Sequence, residues 1–167
     1  MAPSEARRGR HCPRSGNDQL IIQNNLYDTN FLLGKTVSPL LVRRDTRLYL
    51  RQSDVTQDGS TTTFMMYDTS TSSAVPAGTS GTTPALTGTY TVGGVVCDTA
   101  FSLLAQSVSQ YTPDKVESIT GVPTSDVVKL TVDYATMKPS YLGWGWNDKY
   151  TYSEELARAI ATLAALT

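Results

Sequence analysis

The chain has 167 residues, of which 14 are Lys or Arg and 15 are Asp or Glu, for a formal net charge of −1, and 40% are hydrophobic. That is length and apolar content for one ordinary domain, while the near-neutral balance gives a polyanion nothing to bind. No stretch approaches the ~20 apolar residues of a membrane span, and two distant cysteines, Cys12 and Cys97, with no Cys-x-x-Cys pair, supply no zinc or iron–sulfur ligand set within the chain.

Residues 1–17 lack periodicity and large apolar side chains, so they read as a disordered tail. Arg7, Arg8 and Arg10 form a basic cluster with neither the aromatic platform nor the basic stripe of a nucleic-acid binder. Arg7-Arg8 is not followed by the apolar segment of a twin-arginine signal. A first helix is expected over Asp18 to Asn25, with Leu20, Ile21 and Ile22 as its apolar content. Asp28 is placed to cap a short helix through Phe31, Leu32 and Leu33 to Gly34.

Residues 39–98 change character and read as a β-rich insertion. Leu40-Leu41-Val42 and Leu48-Tyr49-Leu50 flank a polar turn at Arg44-Asp45-Thr46, the pattern of a hairpin. Thr62 to Tyr67 is a further strand candidate, and Ser70 to Thr83, rich in Ser, Thr, Gly and Pro, reads as a mobile loop. Gly93-Gly94 between Tyr90-Thr91-Val92 and Val95-Val96-Cys97 is a two-residue hairpin signal.

Helices return over Ala100 to Ser109. Thr112-Pro113-Asp114 supplies an N-cap, an N1 proline and a first-turn acid for a helix ending at Gly121. Another helix is expected over Thr124 to Met137, with Val127, Leu130 and Tyr134 on one face. Pro139 stops it, and Ser140 to Leu142 read as a short buried strand. Gly143 and Gly145 then allow a sharp turn and a close approach at the strand's carboxyl end, where ligands of open α/β sheets sit. A last helix opens at Ser153, with Leu156, Ala159, Ile160 and Leu163 spaced for packing on a sheet. It reaches Leu166-Thr167 without a glycine cap or a return loop, as expected of a piece of something larger.

The segments Ile21-Ile22-Gln23-Asn24-Asn25-Leu26-Tyr27-Asp28-Thr29-Asn30-Phe31 and Tyr111-Thr112-Pro113-Asp114-Lys115-Val116 carry a family likeness. So do Ile119-Thr120-Gly121-Val122-Pro123, Lys138-Pro139, Gly143-Trp144-Gly145 and Arg158-Ala159-Ile160. In this order and spacing the chain resembles the molybdopterin oxidoreductases of the DMSO reductase family. Thr36 to Arg43, Leu50 to Asp54 and Pro84 to Tyr90 look like its acetylene hydratase-like and catechol dehydroxylase-like branch. The implied fold is α/β: residues 18–167 as part of an αβα-layered molybdopterin oxidoreductase domain carrying the β-hairpin-rich insertion.

The resemblance implies a bis(molybdopterin guanine dinucleotide) cofactor with molybdenum or tungsten in the full-length enzyme, and an iron–sulfur cluster in an amino-terminal part not matched here. It places the loop Gly143, Trp144, Gly145, Trp146, Asn147 and Asp148 against that cofactor. Backbone N–H groups freed at a strand end suit pterin or phosphate oxygens, although glycines that merely let the chain reverse are the plain alternative. Arg14-Ser15-Gly16-Asn17-Asp18 echoes the family's basic-Gly-Thr/Ser-Asp stretch, which would put Asp18 at the guanine end; a helix N-cap is the simpler reading of Asp18. No residue is assigned a catalytic or metal-ligating role, and His11, the single histidine, falls in the unmatched tail.

The implied partners are the remainder of its own polypeptide and an iron–sulfur electron-transfer subunit, with no nucleic acid. The implied location is the cytoplasm, or export by a twin-arginine signal outside this sequence. Two other readings compete: a stand-alone binding module recognising partners through exposed hairpins, and a truncated gene remnant without function. The isolated chain is expected to be inactive.

Overall fold

A computed structural model of the chain describes residues 12–143 and 153–167. The described residues are mixed α/β and divide into two compact units, Thr29–Leu104 in one and the residues up to Asp28 with Ala105–Thr167 in the other. The helices are α1 (Cys12–Gln23), α2 (Thr29–Lys35), α3 (Ala100–Val108), α4 (Pro113–Thr120), α5 (Thr124–Thr136) and α6 (Ser153–Leu166). The strands are β1 (Leu41–Arg43), β2 (Met65–Asp68), β3 (Ser73–Pro76), β4 (Thr89–Val92) and β5 (Val95–Thr99).

In the first unit the sequence signals act locally as expected. β4 and β5 pair with Val92 opposite Val95, and Gly93 and Gly94 take φ of 56° and 82° between them. Both central residues of that turn lie in the left-handed region, which matches the twist of the flanking strands and favours glycine. β1 joins the other side of β5, Leu41 opposite Thr99, giving an antiparallel sheet in the order β1-β5-β4. The expected hairpin after β1 is present: Leu50 N–H donates to Leu41 O at 2.8 Å and Arg43 N–H to Leu48 O at 2.9 Å. Leu41, Leu50, Met65 and Cys97 form this unit's core.

The stretch 70–83 departs from expectation, because Ser73–Pro76 pairs with β2, Met65 opposite Pro76. Asp68 is the cause. Its buried carboxylate accepts from Ser70 N–H (3.0 Å), Ser70 Oγ (2.7 Å), Thr71 Oγ1 (2.8 Å) and Thr83 N–H (2.8 Å), which closes the turn and fixes the far end of the segment. A Ser/Thr-rich composition reads as loop, yet here the hydroxyls are consumed in holding a tight turn.

In the second unit α1 packs against α4, α5 and α6. Leu20, Val116 and Val127 make a core cluster, with Tyr111 and Ile119 against it. Thr112 caps α4 by accepting from Lys115 N–H, and Gly121 closes it at φ 74°. Glu117 accepts from Thr124 N–H (2.8 Å) and Thr124 Oγ1 (2.7 Å), tying α4 to the start of α5. Asp28 N–H donates to Leu166 O at 2.7 Å, satisfying one of the carbonyls left free at the end of α6.

Four expectations are corrected in this unit. α1 begins at Cys12, six residues before Asp18, and Gly16 and Asn17, read as tail, are buried. Gly16 permits this: a Cβ there would lie 2.5 Å from Val116 Cγ2, so only glycine lets the helix seat this closely. On α5 the buried positions are Val127 and Thr131, while Leu130 is 62% exposed. A polar threonine at the core position hides the stripe from a hydrophobicity reading. Leu156, Ala159, Ile160 and Leu163 of α6 are buried as expected, but among the described residues of this unit the partner of α6 is α1, a helix. Ser140 to Leu142 are not in a strand, and Tyr141 is 89% exposed. A strand needs a neighbour for its N–H and C=O groups, and no described residue pairs with these three.

Candidate cofactor site

Gly143 is the one member of the expected cofactor loop within the described residues; Trp144, Gly145, Trp146, Asn147 and Asp148 lie outside them. The approach to Gly143 is defined. α5 ends at Thr136, and Met137 N–H closes its last turn on Asp133 O at 2.9 Å. Ser140 Oγ then donates to Tyr134 O at 3.0 Å, holding the chain back against the helix end. Lys138 Nζ sits 5.4 Å from the centroid of the Tyr134 ring and reaches Ser140 Oγ at 3.3 Å. An open cleft of about 590 Å³ lies beside this segment, lined by Tyr134, Lys138, Leu142, Ile160 and Ala164 among others. Its walls are mostly apolar, with Lys138 among the lining residues.

Asp18 is the second feature. It occupies the middle of α1, not its N-cap, so the capping reading fails. The side chain is 2% exposed, and its Oδ1 has no hydrogen-bond partner among the described residues; Gln19 Oε1 beside it has none either. Burial pushes the Asp18 carboxyl up to about 8. A buried carboxyl left like this costs stability, and such sites cluster where a ligand supplies the missing donors. Next to it, Thr131 Oγ1 on α5 donates to Asn17 Oδ1 at 2.8 Å, with both residues buried. Asn17 and Thr131 carried no functional signal in the sequence. The one available hint was the Gly16-Asn17-Asp18 triplet, where a helix-breaking glycine precedes two short polar side chains.

Among the described residues no group of three or more His, Cys, Asp or Glu comes together to hold a metal ion. Cys97 lies in the core of the first unit, where burial pushes its thiol up, away from the thiolate that metal binding needs. His11 is outside the described residues. No described helix is long and apolar enough to cross a membrane.

No family model matches the chain. Individual proteins do. Dimethylsulfide dehydrogenase subunit alpha of Rhodovulum sulfidophilum is 30% identical over 160 residues, covering 89% of this chain and 18% of its own length. Perchlorate reductase subunit alpha of Dechloromonas aromatica is 30% identical over 185 residues, 89% of this chain and 20% of its own. Chlorate reductase subunit alpha of Ideonella dechloratans is 31% identical over 141 residues, 78% and 15% respectively. The chain thus spans at most about a fifth of the length of the curated relatives it matches. Likeness over most of its own residues, to catalytic subunits of one kind, places the chain in the DMSO reductase family of molybdopterin oxidoreductases.

Proposed function

We propose that this chain supplies part of one wall of the pterin cofactor pocket in a molybdenum or tungsten oxidoreductase, and that by itself it turns over no substrate. The observation that carries the reading is the Asp18 carboxyl, buried in a helix with one oxygen unpartnered. A guanine edge offers adjacent N–H donors that a carboxyl oxygen accepts, so the residues fit the guanine end of a bis(molybdopterin guanine dinucleotide) cofactor. The cleft beside Tyr134 and Lys138 fits a pterin or phosphate portion, and the family resemblance assigns the Gly143 to Asp148 segment to the same portion. When bound, the cofactor supplies the redox or oxygen-transfer chemistry; the protein's share is binding, orientation and electrostatics.

In this reading Asp18 accepts from the base, Lys138 offers a cation to an anionic group, and the apolar lining at Ile160 and Ala164 keeps water off one face. The remaining contacts, the metal-ligating residue and an iron–sulfur cluster come from the rest of a family-length polypeptide, working with an iron–sulfur electron-transfer subunit. The test is a chimaera in which residues 12–167, so that α1 is intact, replace the matched stretch of dimethylsulfide dehydrogenase subunit alpha, assayed for bound pterin by fluorescence after oxidation. Retained pterin, lowered by Asp18→Asn together with Gly143→Val, is the expected result. A chimaera that holds pterin equally well with both substitutions counts against the pocket. Turnover by the isolated chain with stoichiometric metal counts against its inactivity.

A further inference from the structure

Three consecutive residues of α1 have three different environments. Gly16 is seated so closely on α4 that a Cβ would meet Val116 Cγ2 at 2.5 Å. Asn17 is tethered to α5, its Oδ1 accepting from Thr131 Oγ1 at 2.8 Å. Asp18 keeps an unpartnered oxygen while 2% exposed. The tether is the unusual part. Thr131 is 1% exposed, and its hydroxyl also lies 2.7 Å from Val127 O, the ordinary local partner of a threonine in a helix. Valine would fill the same volume without needing any partner. A buried hydroxyl–amide contact 114 residues apart in sequence therefore adds geometric fixity where an apolar pair would have served for packing.

We infer that Thr131 is a positioning residue for the Asp18 site: through Asn17 its hydroxyl fixes the turn of α1 that presents the free carboxyl oxygen to the ligand. This rests on the reading of Asp18 as a contact to the guanine end of the cofactor. With α1 held at Gly16 by contact and at Asn17 by a hydrogen bond, the carboxyl one residue on is oriented before the ligand arrives. Preorganisation of that kind lowers the ordering cost of binding.

The experiment uses the purified 167-residue chain and guanosine 5′-monophosphate as the probe, with binding followed by calorimetry and the Asp18 carboxyl by carbon NMR. Thr131→Val should weaken binding roughly tenfold, the loss of one oriented hydrogen bond, and move the Asp18 titration midpoint. Thr131→Ser, which keeps the hydroxyl, should restore both. Should Thr131→Val lose helical structure, Asn17→Ala removes the acceptor instead and must weaken the probe likewise. Unchanged affinity and Asp18 titration in a folded Thr131→Val, or no rescue by serine, would leave Thr131 a packing residue and overturn the inference while Asp18 stands. Failure of the unsubstituted chain to bind the probe overturns both.

Discussion

The two units treat buried carboxylates in opposite ways. In the β-rich unit Asp68 is buried yet takes hydrogen bonds from Ser70, Thr71 and Thr83, which hold it well below the usual carboxylate range. Asp98 in the same unit accepts from Arg44 Nε and Nη2, each at 2.7 Å, and from Thr89 Oγ1, and its carboxyl is lowered too. In the helical unit Asp18 Oδ1 has no hydrogen-bond partner among the described residues, and burial raises the carboxyl to about 8. Carboxylates that stabilise a fold are surrounded by donors from their own chain; one left bare has its donors supplied from elsewhere or lowers stability.

Asp18→Asn separates these cases most sharply. A raised folded-state value means the contribution of Asp18 is fully favourable below the unfolded carboxyl range and is lost as pH rises toward 8. The substitution should therefore stabilise the chain, by up to about 4 kcal/mol at pH 7, and flatten stability between pH 5 and 8, as urea melts across that range would show. A destabilised variant would mean that the carboxyl already has a partner. Leu163→Ala in α6, at 1% exposure, should cost about 3 kcal/mol in the same melts and test whether α6 is integral to the helical unit.

Asp68→Ala should cost about 2 kcal/mol, since several donors lose their acceptor. Because the Asp68 carboxyl is lowered, its contribution is present at neutral pH and lost as pH falls through the folded value, so the cost must shrink in acid. Thermal melts at pH 7 and pH 2 would check the sign. Lys129→Ala, breaking an exposed pair with Asp133 on α5, should leave stability nearly unchanged in the same melts. A larger effect there would mean that this face of α5 is covered.

What the sequence revealed follows from how local each cause is. The Gly93-Gly94 turn, the Thr112-Pro113-Asp114 start and the Gly121 end of α4 are set by backbone chemistry within a few residues, and all three appear in place. The apolar stripe of α6 was legible because Leu156, Ile160 and Leu163 repeat at helical spacing. β3 was missed because its pairing depends on a single carboxylate gathering Ser and Thr hydroxyls, an arrangement that composition assigns to loops. Ser140 to Leu142 were misread because a short apolar run shows strand character but not whether a neighbour exists. Gly143 was singled out from its Gly-x-Gly motif alone, whereas the burial of Asp18 depends on Gly16, Val116 and Thr131, contacts that span a hundred residues.

The Asp68 clasp has a practical consequence. It fastens the chain at Ser70 and again at Thr83, and β3 is paired up to Pro76. The tip between them carries Gly78 and Gly81 with open space where a Cβ would stand. Lengthening a loop already closed at its base adds little entropy cost. Residues 78–81 are thus an anchored port, where an affinity tag or a reporter peptide can enter the chain without loading either core.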